Sequence, residues 1–270
     1  MRYQLTVAVA LTIAALPLWA QQNAQDARWV DECREHHDDS HEHGRFCEVR
    51  VELLAMPSGQ LQIDARENGA VEIVAASGSG LVVHEQIEAT GLTDADAQEL
   101  ASQVHVKTGS TIRADGPPQQ GRHSQWTVSY RIEVPRKSDI MAESTNGPVE
   151  ATNIVGKLDL RTENGPISLD GVGGSVYART ENGPLEVNLS GARWDGDRLD
   201  AETENGPVEL TLPANYAAHL ETGTENGPMS IDFPITVQGR FDLKRLSMDI
   251  GGGGPTVRAV TTNGPVTVGH

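Results

Sequence analysis

At 270 residues, with 37% apolar and only 4% aromatic side chains, the chain can bury a core, but one built from Val, Ile, Leu, Ala and Thr. A formal charge of −17 repels nucleic acid phosphates and anionic membranes and favours cations and basic surfaces. Nucleic acid is therefore excluded as a partner, and the acidity itself keeps such a chain soluble.

In chain order, residues 1–20 read as a secretory signal peptide. Arg2 supplies the positive start, Leu5 to Leu16 the apolar run, and Ala20 a small residue before the cut. The run is too short to span a bilayer, and no Cys follows it to carry a lipid anchor. No later segment would insert into a membrane once the signal is removed. The chain is expected to be exported, to the periplasm, the cell surface or the medium.

Residues 21–50 form an acidic, His-rich lead-in, with Trp29 and Phe46 as anchors onto the body. Cys33 and Cys47 are the only cysteines, and in an oxidising compartment they are expected to pair. The bridge would close a loop of about 15 residues, worth roughly 3 kcal/mol in the chain-entropy model. Inside that loop stand His36, His37, His41 and His43, with Asp38, Asp39 and Glu42. Imidazoles and carboxylates this dense can ligate Zn, Ni or Cu. Nothing in their spacing matches a known metal scaffold, so a solvated loop explains them equally.

Residues 51–137 alternate apolar and polar residues in several short strands and hold one helix, about 93–105. Thr93 is a good N-cap, Asp94 and Asp96 complement the dipole, and Leu100 and Val104 lie one turn apart. Trp126, Val128, Tyr130, Ile132 and Val134 alternate strictly up to Pro135, as in a half-buried strand.

Residues 138–270 repeat one phrase. Thr-Glu-Asn-Gly-Pro occurs at 162–166, 180–184, 203–207 and 224–228, with degenerate copies at 144–148 and 261–265 and a weaker one at 66–70. Its Asn-Gly pairs are Asn146–Gly147, Asn164–Gly165, Asn182–Gly183, Asn205–Gly206, Asn226–Gly227 and Asn263–Gly264. A period near 20 residues means one supersecondary unit stacked on copies of itself. Each unit has two short alternating strands, turned by Asn-Gly, with Pro opening the second. Asn-Gly between alternating runs also suits an antiparallel meander. The near identity of the turns favours a parallel solenoid instead, because like residues then stack on like and Asn side chains can bond along a ladder. The step of 37 residues between Asn226 and Asn263 leaves room for one unmarked coil.

These repeats, their period, the signal peptide and Cys-Glu-Val-Arg at 47–50 resemble the bacterial "putative adhesin" family of exported Asn-Gly repeat β-helix proteins. The resemblance covers most of the chain beyond the signal. It implies an all-β, right-handed parallel β-solenoid of about 20-residue coils, with no enzymatic activity and no established binding residues. The less regular 51–137 region would cap the open end of the stack.

Two further candidates remain. In a solenoid, Glu163, Glu181, Glu204 and Glu225 would stack on consecutive coils about 5 Å apart, where like charges repel. Solvent, neighbouring Arg161 and Arg179, or bound Ca²⁺ would offset this. Sugar binding or cleavage needs exposed aromatic platforms and paired carboxylates. Trp194 and Tyr216 lie at loops, though packing into the core is their simpler role. No Gly-x-Ser-x-Gly, His-Glu-x-x-His or phosphate-cradling loop is present. The expected function is a non-enzymatic, adhesin-like binding or scaffold module whose partner is a surface protein or a glycan. The alternatives are an envelope polysaccharide-binding or -cleaving protein, and a metal-binding protein working through the His loop. No cofactor is expected, with Ca or Zn as the candidates should the glutamate row or the His loop bind a metal.

Overall fold

The computed structural model describes residues 18–35, 44–119, 121, 124–233 and 244–270. In chain order the elements are α1 (Leu18–Glu35), β1 (Gly44–Ala55), β2 (Leu61–Asp64), β3 (Val71–Ala76), β4 (Gly80–Gly91), α2 (Asp94–Ser102), β5 (His105–Lys107), β6 (Thr111–Asp115), β7 (Gln125–Pro135), β8 (Ile140–Ser144) and β9 (Val149–Thr152). Then follow β10 (Val155–Thr162), β11 (Ile167–Asp170), β12 (Gly173–Asn182), β13 (Leu185–Asn188), β14 (Arg198–Asn205), β15 (Val208–Thr211), β16 (Ala218–Asn226), β17 (Met229–Ile231), β18 (Arg245–Ile250), β19 (Thr256–Asn263) and β20 (Val266–Gly269). The fold is all-β, with two mixed ten-stranded sheets ordered β1-β4-β7-β3-β9-β11-β13-β15-β20-β17 and β18-β16-β19-β14-β12-β10-β8-β2-β6-β5.

Alternation within each strand decides what lies between the sheets. Leu61, Ile140, Leu158, Val176, Leu199, Val257 and Leu220 occupy matching positions on successive parallel strands. Val71, Val149, Ile167, Leu185, Val208 and Val266 do the same in the facing sheet. All are buried. One turn of chain, such as β10 then β11, contributes one strand to each sheet. The solenoid-like stack follows from burying like on like, and the antiparallel meander does not occur in the repeats.

The corners explain the repeated phrase letter by letter. The hydroxyl of each phrase-leading residue donates to the glycine carbonyl of the neighbouring coil: Thr162 to Gly147 at 2.9 Å, Thr180 to Gly165 at 2.8 Å, Thr203 to Gly183 at 2.8 Å. Thr261 reaches Gly206 at 2.9 Å and Thr224 reaches Gly264 at 2.8 Å. The Asn side chains form one continuous ladder. Asn146 donates to Asn68, Asn164 to Asn146, Asn182 to Asn164, Asn205 to Asn182, Asn263 to Asn205 and Asn226 to Asn263, over 2.8 to 3.1 Å. The glycines are fixed by clearance rather than by a left-handed turn. A Cβ on Gly147, Gly165, Gly183, Gly206, Gly264 or Gly227 would lie 2.0 to 2.3 Å from the carbonyl oxygen of the next glycine in the stack.

Thr180 is fully buried, so Thr180→Val leaves its acceptor without the hydroxyl donor. A loss of about 1–2 kcal/mol is expected in urea unfolding. Thr180→Ser, which keeps the hydroxyl, should recover most of it; equal losses for the two variants would show that the hydrogen bond contributes little.

Two features depart from the sequence expectation. The last coil is not last in space. β19 lies between β14 and β16, and β20 between β15 and β17. The long interval before Asn263 therefore does not add a coil at the end of the stack. Its described part includes β18, which runs antiparallel on β16. The chain then reverses through Gly251–Gly254, all four at positive φ between 56° and 154°, which glycine tolerates and other residues do not. Residues 234–243 lie outside the described residues.

The second departure is α1. A helix runs through the expected lead-in, making two helices rather than one. Its apolar positions form no continuous stripe: Trp29 and Val30 are half-buried and Cys33 is buried, while Ala24 and Ala27 are exposed. That pattern is too weak to announce a helix. Most of the signal peptide expected at 1–20, residues 1–17, lies outside the described residues. The Cys33–Cys47 disulfide is formed and holds α1 to β1. Asp26 adds a contact to the buried His84, with Oδ2 2.9 Å from Nδ1.

At this end β1, β4 and β7 pair antiparallel, and α2 packs on β4 and β1. Thr93 caps α2 in a capping box with Asp96. Arg50 closes its other end, donating to the carbonyls of Ala101 at 3.0 Å and Val104 at 2.8 Å.

Candidate functional site

The outward face of the sheet containing β8, β10, β12, β14, β19 and β16 carries the densest array of polar chemistry. Alternation sends every second residue outward, and parallel register lines them up in columns. One column runs Asp64, Glu143, Arg161, Arg179, Glu202, Val260. Beside it runs Gln62, Met141, Asp159, Tyr177, Asp200, Arg258, Glu221. Ion pairs within and across the columns tie the two together. Arg161 holds Asp159 at 2.7 Å and lies 5.4 Å over the Tyr177 ring. Arg179 holds Glu202 at 2.5 Å, and Arg258 bridges Asp200 at 2.5 Å and Glu202 at 3.2 Å. Hydrogen bonding to Asp159 holds the Arg161 guanidinium above its ordinary pKa.

Two shallow hollows open on this face. One, of about 520 Å³, is lined by Arg179, Glu202, Arg258, Arg245 and Glu225 among others. The other, of about 410 Å³, is lined by Asp64, Arg66, Glu143, Arg161, Glu163 and Glu181. Both mix guanidinium and carboxylate groups and suit a polar, hydrogen-bonding ligand. The facing sheet shows another character. Its outward column reads Arg131, Glu72, Glu150, Ser168, Glu186, Glu209, Thr267, Ser230, acidic and without a cation after Arg131.

A family model described as Toastrack DUF4097 matches residues 53–269. The chain belongs to this family. Among solved structures, a "putative cell adhesion protein" from Clostridium sporogenes is 10% identical, with 83% of this chain and 99% of that chain covered at a TM-score of 0.44. A "putative adhesin" from Bacteroides fragilis is 11% identical, covering 82% and 96% at a TM-score of 0.34. A "putative lipid binding protein" from Parabacteroides distasonis is 9% identical, covering 82% and 96% at 0.30. No curated protein matches the chain.

In this Toastrack chain the glutamate row is broken. Glu163, Glu181 and Glu204 do occupy successive coils, but Thr262 on the inserted coil separates Glu204 from Glu225, because Asn263 stands between Asn205 and Asn226. All four glutamates are exposed. Arg161 and Arg179 turn to Asp159 and Glu202 instead of the row. Among the described residues no group of three or more His, Cys, Asp or Glu is arranged to hold a metal ion. His36, His37, His41 and His43 lie outside the described residues. Trp194 and Tyr216 are buried, and the Trp194 indole donates to the Gly174 carbonyl at 3.1 Å. Neither offers a sugar platform.

Sequence reasoning missed a polar cluster at the far end of the same face. His219 places Nδ1 2.7 Å from Asp249 and Nε2 3.2 Å from the Ser247 hydroxyl. The contacts are in the order of a Ser–His–Asp relay, but Glu221 lies 3.5 Å from the same Nε2 and pairs directly with Ser247 across the strands. An oxyanion forming at Ser247 would grow beside a carboxylate, the reverse of what acyl transfer needs. The cluster instead fixes β18 in register on β16. Two of its members lie in β18, and only the antiparallel pairing brings them to His219.

Proposed function

We propose that this Toastrack protein is a non-enzymatic, exported binding or scaffold module of adhesin-like type, engaging a surface protein or glycan through the outward face of β8, β10, β12, β14, β19 and β16. The observation supporting it is the pair of charged columns around Arg161, Arg179, Glu202 and Arg258. Their side chains are held by one another on strands about 4.8 Å apart, so little rotamer freedom remains to be lost on binding. The disulfide supports export to an oxidising compartment, whether periplasm or cell surface. The coils are taken to wind right-handedly, as parallel strand connections do in about 98% of cases.

The test is biolayer interferometry of the purified protein against isolated cell-wall polysaccharide and a panel of purified surface proteins. A Arg161→Glu/Arg179→Glu variant is run beside it. Saturable binding that falls at least tenfold in the variant supports the reading. Binding indifferent to the variant removes this face, and turnover of the polysaccharide removes the non-enzymatic reading in favour of the polysaccharide-cleaving one.

The metal reading keeps its own test. Zinc calorimetry on the wild type and on a His36→Ala/His37→Ala/His41→Ala/His43→Ala variant should give no tight, stoichiometric site in either. A stoichiometric site lost in the variant would make this a metal-handling protein.

A further inference from the structure

β1 ends one sheet, paired on one side only, by β4, over its twelve residues. A long unpaired edge is a template for another strand, and soluble proteins usually blunt it with charge, proline or cover. Among the described residues, no proline and no further paired strand blunts the half beyond the disulfide. Val51 is 46% exposed and Leu53 80% exposed, on the same side of the sheet as Cys47 and Val49. The opposite side of the strand carries Glu48, Arg50, Glu52 and Leu54.

We propose that β1 pairs antiparallel with β1 of a second copy about a two-fold axis through Val51. The sequence of the strand selects this register. In an antiparallel pair, directly opposed residues share a face, so only registers that keep odd-numbered residues against odd-numbered ones are open. Centring on Val51 sets Val51 against itself and Val49 against Leu53 on one face, and Arg50 against Glu52 on the other. Centring on Arg50 or on Glu52 opposes like charges. Centring on Leu53 sets Glu52 against Leu54 and leaves Val51 facing Ala55. Centring on Val49 also sets Glu48 against Arg50, but it places Glu52 against Phe46 and Leu53 against Arg45, whose backbone N–H already donates to Asp94 at 3.2 Å. The register on Val51 joins apolar to apolar and plus to minus without disturbing that bond, and the two-fold axis makes the Val49–Leu53 and Arg50–Glu52 contacts twice. The Glu52 carboxylate forms no ion pair among the described residues, so Arg50 of the second copy gives it an opposite charge. Pairing would join two ten-stranded sheets into one and remove both edges. It is independent of the face invoked for ligand binding.

Sedimentation equilibrium of the full exported chain at about 100 µM is expected to give twice the monomer mass. Val51→Lys/Leu53→Lys should be monomeric at that concentration with an unchanged circular dichroism spectrum, and Glu52→Arg should weaken dimerisation at least tenfold. The register has its own readout. Under mild oxidation Val51→Cys should link to itself across the axis. Val49→Cys and Leu53→Cys should each stay unlinked alone and link when mixed. A monomeric wild type, a dimer that survives Val51→Lys/Leu53→Lys, or Leu53→Cys linking to itself would overturn the proposal.

Discussion

Gly183→Ala is expected to cost at least about 3 kcal/mol and to lower the melting temperature by roughly 6–12 °C. The added Cβ would meet the Gly165 carbonyl oxygen at 2.0 Å, its carbon at 2.5 Å and the Thr180 hydroxyl at 3.1 Å. Two of these are backbone atoms held in the ladder, and the carbonyl is also the acceptor for Thr180. No rotamer relieves the contact; the two coils must part. Parting them stretches the Asn182–Asn164 bond at 2.9 Å and the backbone bond from Asn182 to the Glu163 carbonyl at 2.7 Å. The loss should therefore exceed that of an ordinary overpacked core position. Gly59→Ala is the control, since its Cβ would meet nothing within 4 Å; it should be neutral or slightly stabilising. Differential scanning calorimetry of both decides, and a Gly183→Ala protein melting with the control would show that the corner has slack.

That prediction was half legible in the sequence. Thr-Glu-Asn-Gly-Pro could be read as a stacked corner, because identical letters at a fixed period are what stacking like on like requires. The alternation around it also placed Leu158, Val176 and Leu199 in the core. What the letters could not show was the spatial order of the coils. Asn226 precedes Asn263 in the chain but follows it in the stack, because β18 turns antiparallel and Gly251–Gly254 sends the chain back between earlier coils. Period alone carries no information about such an insertion, and the glutamate row was misassembled for that reason. Helix α1 was hidden for another reason. It meets the body through a few side chains, with Cys33 and Asp26 as its fixed points, so no apolar stripe marks it. The charged columns were legible in fragments: Arg161 and Arg179 stand two residues before Glu163 and Glu181. Their partners Asp159, Glu202 and Arg258 become visible only when the strands are set side by side.

The second large effect concerns acid inside the capped end. Glu85 is 3% exposed, and its Oε1 has no hydrogen-bond partner among the described residues. Burial is the main cause that pushes its pKa up, to about 7; the nearby Glu52 and Glu48 add to this and Arg50 opposes it. Tyr130, directly across the strand pair, is likewise buried, and its phenol is pushed further into the neutral form. The folded protein thus holds the Glu85 proton more tightly than the unfolded chain, whose carboxyl titrates near 4.5. Its contribution to stability is fully present below about pH 4.5. It is lost as pH rises to about 7 and is constant above that. The shift corresponds to about 3 kcal/mol. Glu85→Gln keeps the shape and stays neutral at every pH. It should match the wild type in urea unfolding at pH 4.5 and be more stable by about that amount at pH 8. Gains of equal size at the two pH values would mean that packing or hydrogen bonding, not the proton, distinguishes the two side chains. If the gap opens between pH 4.5 and 7, the neutral protein carries a proton at Glu85 through much of that range. The cap beneath α2 is then weakest in alkaline medium, where the carboxylate must be buried beside Glu52 with only Arg50 to offset it.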